Sequence, residues 1–412
     1  MKILYVITTL GLGGVQEHLR LVTKYLISQG HDIWIAHGLP EDKAEAFRNL
    51  GAKLIRVPLV KEIRPSKDLS AFFALYRLIR RERFDLVHVH MTKAGILGRF
   101  AAKLARVKTV FMTGHGWSGH LENYFDHPLA KKFFFIIEKI WGQFFTDGII
   151  LLTREDLMAI RNKKMYDPRK LHLVSNGIDF QELEHFKTSP IRQELGIPTS
   201  APLVLTVGRI CKVKAQKIFV DAAQRVLAKG VDSYFLLVGE GPDRNEILSM
   251  VERYGLKNRF YLLGNRRDVP GILKSADIFV LTSITEGMAM TLLEAMALGR
   301  PVIVSDIPGN RALVQEGRTG LLFPVNNSEI LSHRLVELLQ NKELQKRLGR
   351  EAKKLITSQF DYTKMGEQTC RVYEKVMAKR KGHFDGKGEL CIVEKGNVLK
   401  EKKPWRENKV LH

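Results

Sequence analysis

Two carboxylates, Glu286 and Glu294, stand eight residues apart in the stretch 285–304, TEGMAMTLLEAMALGRPVIV. An apolar strand is expected over 277–281, leading into the small loop Glu286-Gly287-Met288-Ala289-Met290. A helix is expected over 291–298, with Leu292, Leu293 and Met296 apolar and Gly299 as its stop, and another strand over 301–305. A strand, a glycine-containing loop and a helix N-terminus, in that order, present free backbone N–H groups to a phosphate. Glu286 then falls at the loop mouth and Glu294 about one helical turn inside. One ligand could touch both, with phosphate at the helix end and hydroxyls at the carboxylates. The plainer alternative makes Glu294 an ordinary helix residue and Glu286 a neighbour of the N-terminus, where negative charge is favourable anyway.

Cations occupy the same layout earlier in the chain. The apolar strand 202–207 delivers Gly208 and Arg209, and Lys214 follows five residues after Arg209, where a helix is expected to begin. Two such cations suit a diphosphate, arginine through its fork of donors and lysine as a point charge. Near the start, strand 2–7 runs into TTLGLGG, which holds Gly13 and Gly14, and then into a helix over 15–30. Its Gly-x-Gly-Gly spacing, and the lack of an acid at the end of strand 32–37, argue against a dinucleotide fingerprint. A tight turn is the alternative. Strand 84–90, FDLVHVH, puts His88 and His90 on one side by its two-residue period. No third ligand lies near them in sequence, so they make a poor metal pair and are expected at a strand end facing a cleft.

Two series of strand–loop–helix units position these residues, and together they imply two doubly wound domains with ligands at the C-terminal ends of strands. The expected division is a first domain at 1–180, a polar linker at 181–200 and a second domain at 201–360. A further helix is expected over 361–379, and a basic, glycine-dotted tail at 380–412 reads as disordered. At 412 residues, 45% of them hydrophobic, the chain can bury two cores. Cys211, Cys370 and Cys391 form no Cys-x-x-Cys pair, which points away from disulfides and structural zinc and toward a reducing compartment. No metal-ligand spacing occurs, and no cofactor is implied.

The formal charge of +22 suits an anionic partner. Without a helix-turn-helix, zinc-finger or RNA-binding signature, nucleic acid is not expected. Residues 2–12 lack the small-residue cleavage site of a signal peptide, and no run of about 18 apolar residues could span a bilayer. A cytoplasmic protein is expected. The basic amphipathic helix 67–83 reads as a solvated face and the aromatic–lysine helix 129–145 as core and interdomain packing, or both as contacts with an anionic membrane surface, on the inner face of the cell membrane.

Residues 285–304 resemble the signature of the retaining glycosyltransferases of family 4, a Glu-x7-Glu motif followed by Ala-Met-Ala-x-Gly-x-Pro-Val-Ile. GGVQEHL resembles that family's Gly-Gly loop, Gly208-Arg209 with Lys214 its Gly-Arg-x-x-x-x-Lys motif, and Asn176-Gly177-Ile178-Asp179 its Asn-Gly-x-Asp turn. The helix KAGILGR and the segment TGHG, which contains His115, resemble the bacterial polysaccharide-building members. One departure is local: Pro308-Gly309 and Ala312 stand where the pattern has a Gly-Gly pair and then a glutamate. The resemblance runs from the first strand to the helix ending near 379.

It implies the GT-B fold: α/β, two Rossmann-like domains facing across a cleft, with the last helix crossing back onto the first. It implies sugar transfer from a UDP- or GDP-linked donor to a glycan or lipid-linked acceptor in cell-surface polysaccharide assembly, with retained anomeric configuration and no metal. By the same resemblance Arg209, Lys214 and the helix N-terminus at Met290 stabilise the diphosphate. Gly13, Gly14 and Gly208 approach the donor with bare backbone, and Gly287, Met288, Ala289, Met290 and Thr291 form its loop. Glu294 meets the ribose, Glu286 the sugar ring and His115 the sugar from the other domain, while Asn265 lies where the base is seated. A nucleotide-sugar 2-epimerase shares the two-domain plan, but the Glu-x7-Glu stretch speaks against it. A non-catalytic nucleotide-binding membrane partner is disfavoured by the intact set Arg209, Lys214, Glu286 and Glu294.

Overall fold

The computed structural model describes residues 1–116 and 128–380, together with two short strands at 392–394 and 397–399. The first sheet contains β1 (Lys2–Thr9), β2 (Asp32–Gly38), β3 (Lys53–Arg56), β4 (Leu86–His90), β5 (Thr109–Gly114), β6 (Gly148–Leu151) and β7 (Leu171–Leu173). Their order is β3-β2-β1-β4-β5-β6-β7. The second sheet contains β8 (Leu203–Val207), β9 (Tyr234–Val238), β10 (Phe260–Leu262), β11 (Ile278–Leu281), β12 (Val302–Ser305) and β13 (Leu321–Phe323), in the order β10-β9-β8-β11-β12-β13. Every neighbouring pair in both sheets is parallel. Strands covered by helices on both faces must be apolar throughout, and β4, β5, β8, β11 and β12 are buried along their whole lengths.

Strand order reverses between β1 and β4 in the first sheet and between β8 and β11 in the second. Adjacent loops diverge at such a point, and a crevice opens outside the carboxyl ends of the strands. The loops after β1, β8 and β11 carry Gly13, Arg209 and Glu286, so topology gathers residues that are far apart in the chain. The edge strands β3 and β13 are short, and the apolar pattern does not announce them.

One apolar core runs from sheet to sheet, including Ile7, Leu10, Met288, Met290 and Leu292. The helix Tyr362–Arg380 returns to the first sheet. There the buried Tyr373 hydroxyl lies 3.0 Å from Tyr5 Oη and 2.5 Å from His88 Nδ1. The chain turns back where Ile178 N donates to Phe360 O at 2.7 Å and Tyr362 N to Ile178 O at 3.1 Å.

The stretch 181–200 is more structured than a polar linker. It contains the short helices Phe180–His185 and Ile191–Glu194, and it buries Leu183, Ile191 and Ile197. Widely spaced apolar residues anchor it without producing a periodic pattern. The tail beyond 380 lies outside the described residues except for β14 (Ile392–Glu394) and β15 (Asn397–Leu399), which pair antiparallel. The residues directly after Gly116, 117–127, also lie outside them.

Candidate active site

Beyond β11, Thr282–Ala289 forms the loop that enters the helix Met290–Ala297. Leu292, Leu293, Ala295 and Met296 are buried and hold that helix in place. Its N-cap, Ala289, has extended backbone and makes no side-chain cap hydrogen bond. A serine, threonine or aspartate there would engage the first-turn N–H groups. Alanine leaves them for an anion, the ligand that a helix N-terminus attracts.

Glu286 at the loop mouth forms an ion pair with Lys214, and Ser283 Oγ donates to the same Oε1 at 2.6 Å. The Lys214 and Glu286 side chains are only 24% and 11% exposed, so the pair is shielded but still reachable. Lys214 closes a 3₁₀ turn, Lys212–Lys214, that stands before the helix Gln216–Ala228 rather than inside it. Ala215 between them has φ 49°, a left-handed conformation that costs an L-residue about 1 kcal/mol. Contacts with the neighbouring loop hold it there: Thr282 Oγ1 donates to Lys214 O at 2.8 Å and Ile284 N to Val213 O at 2.8 Å. Arg209 is exposed, and its guanidinium makes no ion pair among the described residues. Its backbone is fixed by Gln216 Nε2, which donates to Arg209 O at 2.8 Å.

Loops of the first sheet close directly on this one. Asn176 Nδ2 donates to Met288 O at 2.9 Å. Gly14 opens the helix Gly14–Ser28, and a Cβ on it would stand 3.4 Å from Met290 Cγ. The backbones of Gly116 and Gly287 touch, so that a Cβ on Gly287 would lie 2.6 Å from Gly116 N. His115 immediately precedes that contact. His115 Nε2 lies 3.0 Å from His90 Nδ1, and its ring centroid 5.0 Å from that of His18.

Glu294, one turn into the helix, faces a charged group on the first domain. Burial pushes its carboxyl up to about 8, Glu17 adds to the shift, and Lys43 and Arg20 oppose it. Burial also works against the charge on Glu17, yet its bonds to Lys43 and Arg20 hold it down to about 2. A raised carboxyl contributes stability that is full below its unfolded value near 4.5 and is lost as pH rises through about 8. The Glu17 contribution is lost only on acidification below about 4.5, so the two windows do not overlap. Wild type should therefore lose Tm relative to Glu294→Gln between about pH 5 and pH 8. A Tm difference that stays constant across that window in paired thermal melts would contradict this assignment.

The structure brings Glu286, Lys214, Gly287, Met288 and Met290 against Gly14, Asn176 and Gly116. Gly13 caps the helix that Gly14 begins, and a Cβ on Gly208 would lie 3.9 Å from Lys214 Cδ and Cε. Thr291 is half-buried in the first turn, and Asn265 stands exposed after the edge strand β10. Ser283, Asn176, Glu17 and His18 join the site without being singled out by spacing. Asn176 reads in sequence only as part of a turn, and Ser283 has no distinguishing context.

Residues 187–355 match the family model Glycosyl transferases group 1, and residues 12–182 match Glycosyltransferase Family 4. The UDP-Gal:alpha-D-GlcNAc-diphosphoundecaprenol alpha-1,3-galactosyltransferase of Escherichia coli is 33% identical, over 69% of this chain and 74% of that one. The N-acetyl-alpha-D-glucosaminyl L-malate synthase of Bacillus anthracis is 27% identical, over 86% of this chain and 92% of that one. Among solved structures, Anabaena Alr3699/HepE in complex with UDP-glucose has a TM-score of 0.79 at 20% identity, covering 91% of this chain and 100% of that one. WaaG, a glycosyltransferase involved in lipopolysaccharide biosynthesis, has a TM-score of 0.72 at 16% identity, covering 92% and 100%. The architecture is thus the GT-B fold of these neighbours. Both halves match glycosyltransferase models and the Escherichia coli relative aligns over most of its length, so the chain belongs to the family 4 glycosyltransferases.

Proposed function

We propose that this glycosyltransferase moves a sugar from a nucleoside diphosphate donor to a lipid-linked or glycan acceptor in cell-surface polysaccharide assembly, without a metal. The observation that carries this reading is the Lys214–Glu286 pair beside the uncapped N-terminus of the helix Met290–Ala297, opposite Gly14 and His115. The bond from the anomeric carbon to phosphate breaks, and the acceptor hydroxyl oxygen takes the sugar with retained configuration. Charge building on the diphosphate meets Arg209, Lys214 and the first-turn N–H groups. The donor and the diphosphoundecaprenol acceptor in the name of the Escherichia coli relative support UDP and a lipid-linked acceptor here.

Glu294 is assigned to the ribose and Glu286 to the sugar, so their roles are separable by calorimetry with UDP and GDP. Glu294→Ala should weaken binding of the preferred nucleotide by about tenfold, the scale of a hydrogen bond whose loss leaves its partner unsatisfied. Glu286→Ala should leave that affinity within about twofold and lower transfer instead. Both variants binding like wild type would remove the Glu294 role. An epimerised donor formed without consumption of acceptor would replace transfer by 2-epimerisation.

A membrane surface as partner has support in the first domain. In the helix Pro128–Phe144, the buried Glu138 makes a bidentate pair with buried Arg99 at 2.6 and 2.7 Å, fixing the inward face. Phe133, Ile136, Ile140 and Phe144 are left exposed, Phe133 and Phe144 at 66% and 69%, and Lys132 and Lys139 on the same helix are exposed too. Arg56, Arg77, Arg80 and Arg81 line a groove between β3 and the helix Pro65–Glu82. No helix among the described residues is long and apolar enough to cross a membrane. Each cation near an anionic surface contributes about 1 kcal/mol, and the attraction fades within a Debye length of about 8 Å. Weak, salt-sensitive sedimentation with anionic vesicles is therefore expected. Equal binding to neutral and anionic vesicles, or none to either at low salt, would remove this partner and leave the transferase assignment standing.

A further inference from the structure

We propose that His18, His90 and His115 form a site for a divalent transition-metal ion of the zinc type, and that filling it blocks transfer rather than supporting it. Each histidine offers one ring nitrogen, and these atoms lie within 4.8 Å of one another. His18 comes from the helix after β1, His90 from the end of β4 and His115 from the residue after β5. These strands are neighbours in the sheet, so the cluster is a product of strand order at the first crevice.

The hydrogen bonds already set two of the rings for ligation. Asn176 Nδ2 donates to Met288 O, so its Oδ1 faces His18 Nδ1 at 2.7 Å and accepts from it. The lone pair of His18 is then on Nε2. A second ring nitrogen donating to a carbonyl is what orients metal-ligating histidines. His90 meets His115 through Nδ1, while its own Nε2 is buried with no hydrogen-bond partner among the described residues. A buried polar atom left in this way needs an explanation, and a bound ion is one. His88, stacked on His90, is committed elsewhere, to Tyr373 Oη and Thr113 Oγ1.

Three imidazoles with no carboxylate among them favour zinc or cobalt over magnesium, which takes oxygen ligands. Zinc–nitrogen bonds of about 2.0–2.1 Å in tetrahedral geometry put the nitrogens roughly 3.4 Å apart. A closure of about 1.4 Å at most completes the site. Three ligands leave the fourth position open, as in sites that exchange what they bind. His115 alone of the three is not fully buried, so the open side lies toward it. An ion there occupies the His115 ring nitrogen and crowds the place assigned to the sugar. The site itself rests on histidine geometry; only the block on transfer also rests on the proposed role of His115.

The test uses the full chain, stripped with EDTA, returned to chelator-free buffer and titrated with Zn²⁺ by calorimetry and with Co²⁺ by visible absorption. One site per chain is expected, with a tetrahedral Co²⁺ spectrum and no heat from Mg²⁺. His18→Gln and His90→Gln should each weaken Zn²⁺ binding by at least about tenfold. Metal-free Tm identifies any variant that fails to fold, and the other variant then carries the comparison. No Zn²⁺ binding overturns the site, and unchanged affinity in the folded variants overturns it by placing the ion on other histidines. Stoichiometric Zn²⁺ should suppress transfer and EDTA should restore it; full activity with the ion held by these histidines overturns the block alone. A chain with no transferase activity leaves the calorimetry intact, so failure of the functional reading is distinguishable from failure of this one.

Discussion

Replacing Arg209 or Lys214 by alanine should lower turnover at saturating donor by about 10²-fold or more, equivalent to roughly 2.7 kcal/mol of transition-state stabilisation. The charge on a departing diphosphate grows as the glycosidic bond breaks, so a cation placed there acts more strongly in the transition state than in the bound donor. The two substitutions probe this differently. Lys214 is paired with Glu286 before any donor arrives, and its removal also strips Glu286 of its cation. Arg209 has no ion pair to lose among the described residues, so Arg209→Ala should keep the wild-type Tm and lose activity. Turnover within about twofold of wild type in both variants would contradict the assignment. With cations in this role, EDTA should not lower transfer, and strict dependence on an added divalent ion would show that they are not sufficient.

Gly116→Ala should cost about 10²-fold in kcat/KM while leaving nucleotide affinity within about threefold, as expected when reacting groups are displaced by roughly 1 Å. Gly116 has φ +88°, a left-handed conformation that a side chain disfavours, and a Cβ there would stand 2.8 Å from Gly287 N. The neighbour is backbone, with no rotamer to swing aside. The first-sheet loop carrying His115 must therefore lift from the loop carrying Glu286. Lys214, Arg209 and Glu294 lie on the other side of that contact, which is why calorimetry with the nucleotide should change little. Gly287→Ala meets the same obstacle from the opposite side, with its Cβ 2.6 Å from Gly116 N. Wild-type kcat/KM in both alanine variants would show that this close approach is not needed for transfer.

Much of this architecture is legible in the chain because it depends on local pattern. Strands covered on both faces must be apolar, and runs such as LVLTV and IFVL show it directly. Glycine loops followed by amphipathic helices mark where backbone N–H groups are exposed, and the Glu-x7-Glu stretch puts one carboxylate on the loop and the other about one turn inside the helix. These features depend on neighbours within about ten residues. Edge strands β3 and β13 escape because they are short, and the stretch 181–200 escapes because its anchors Leu183, Ile191 and Ile197 keep no period.

The sequence by itself therefore determined two doubly wound halves, the loops at the carboxyl ends of their strands and the residue types on those loops. Only the tertiary structure decided which loops meet. Glu286 reaches Lys214, a partner 72 residues away, because β8 and β11 are neighbours in the sheet. Asn176 bridges His18 to Met288, and His90 gains His18 and His115, because β1, β4 and β5 lie side by side while the second sheet closes over them. Spacing along a chain sets what a strand or helix presents on each face. Strand order and the fit between two packed surfaces set what each face finds opposite, and these follow from burial of the whole core rather than from any one motif.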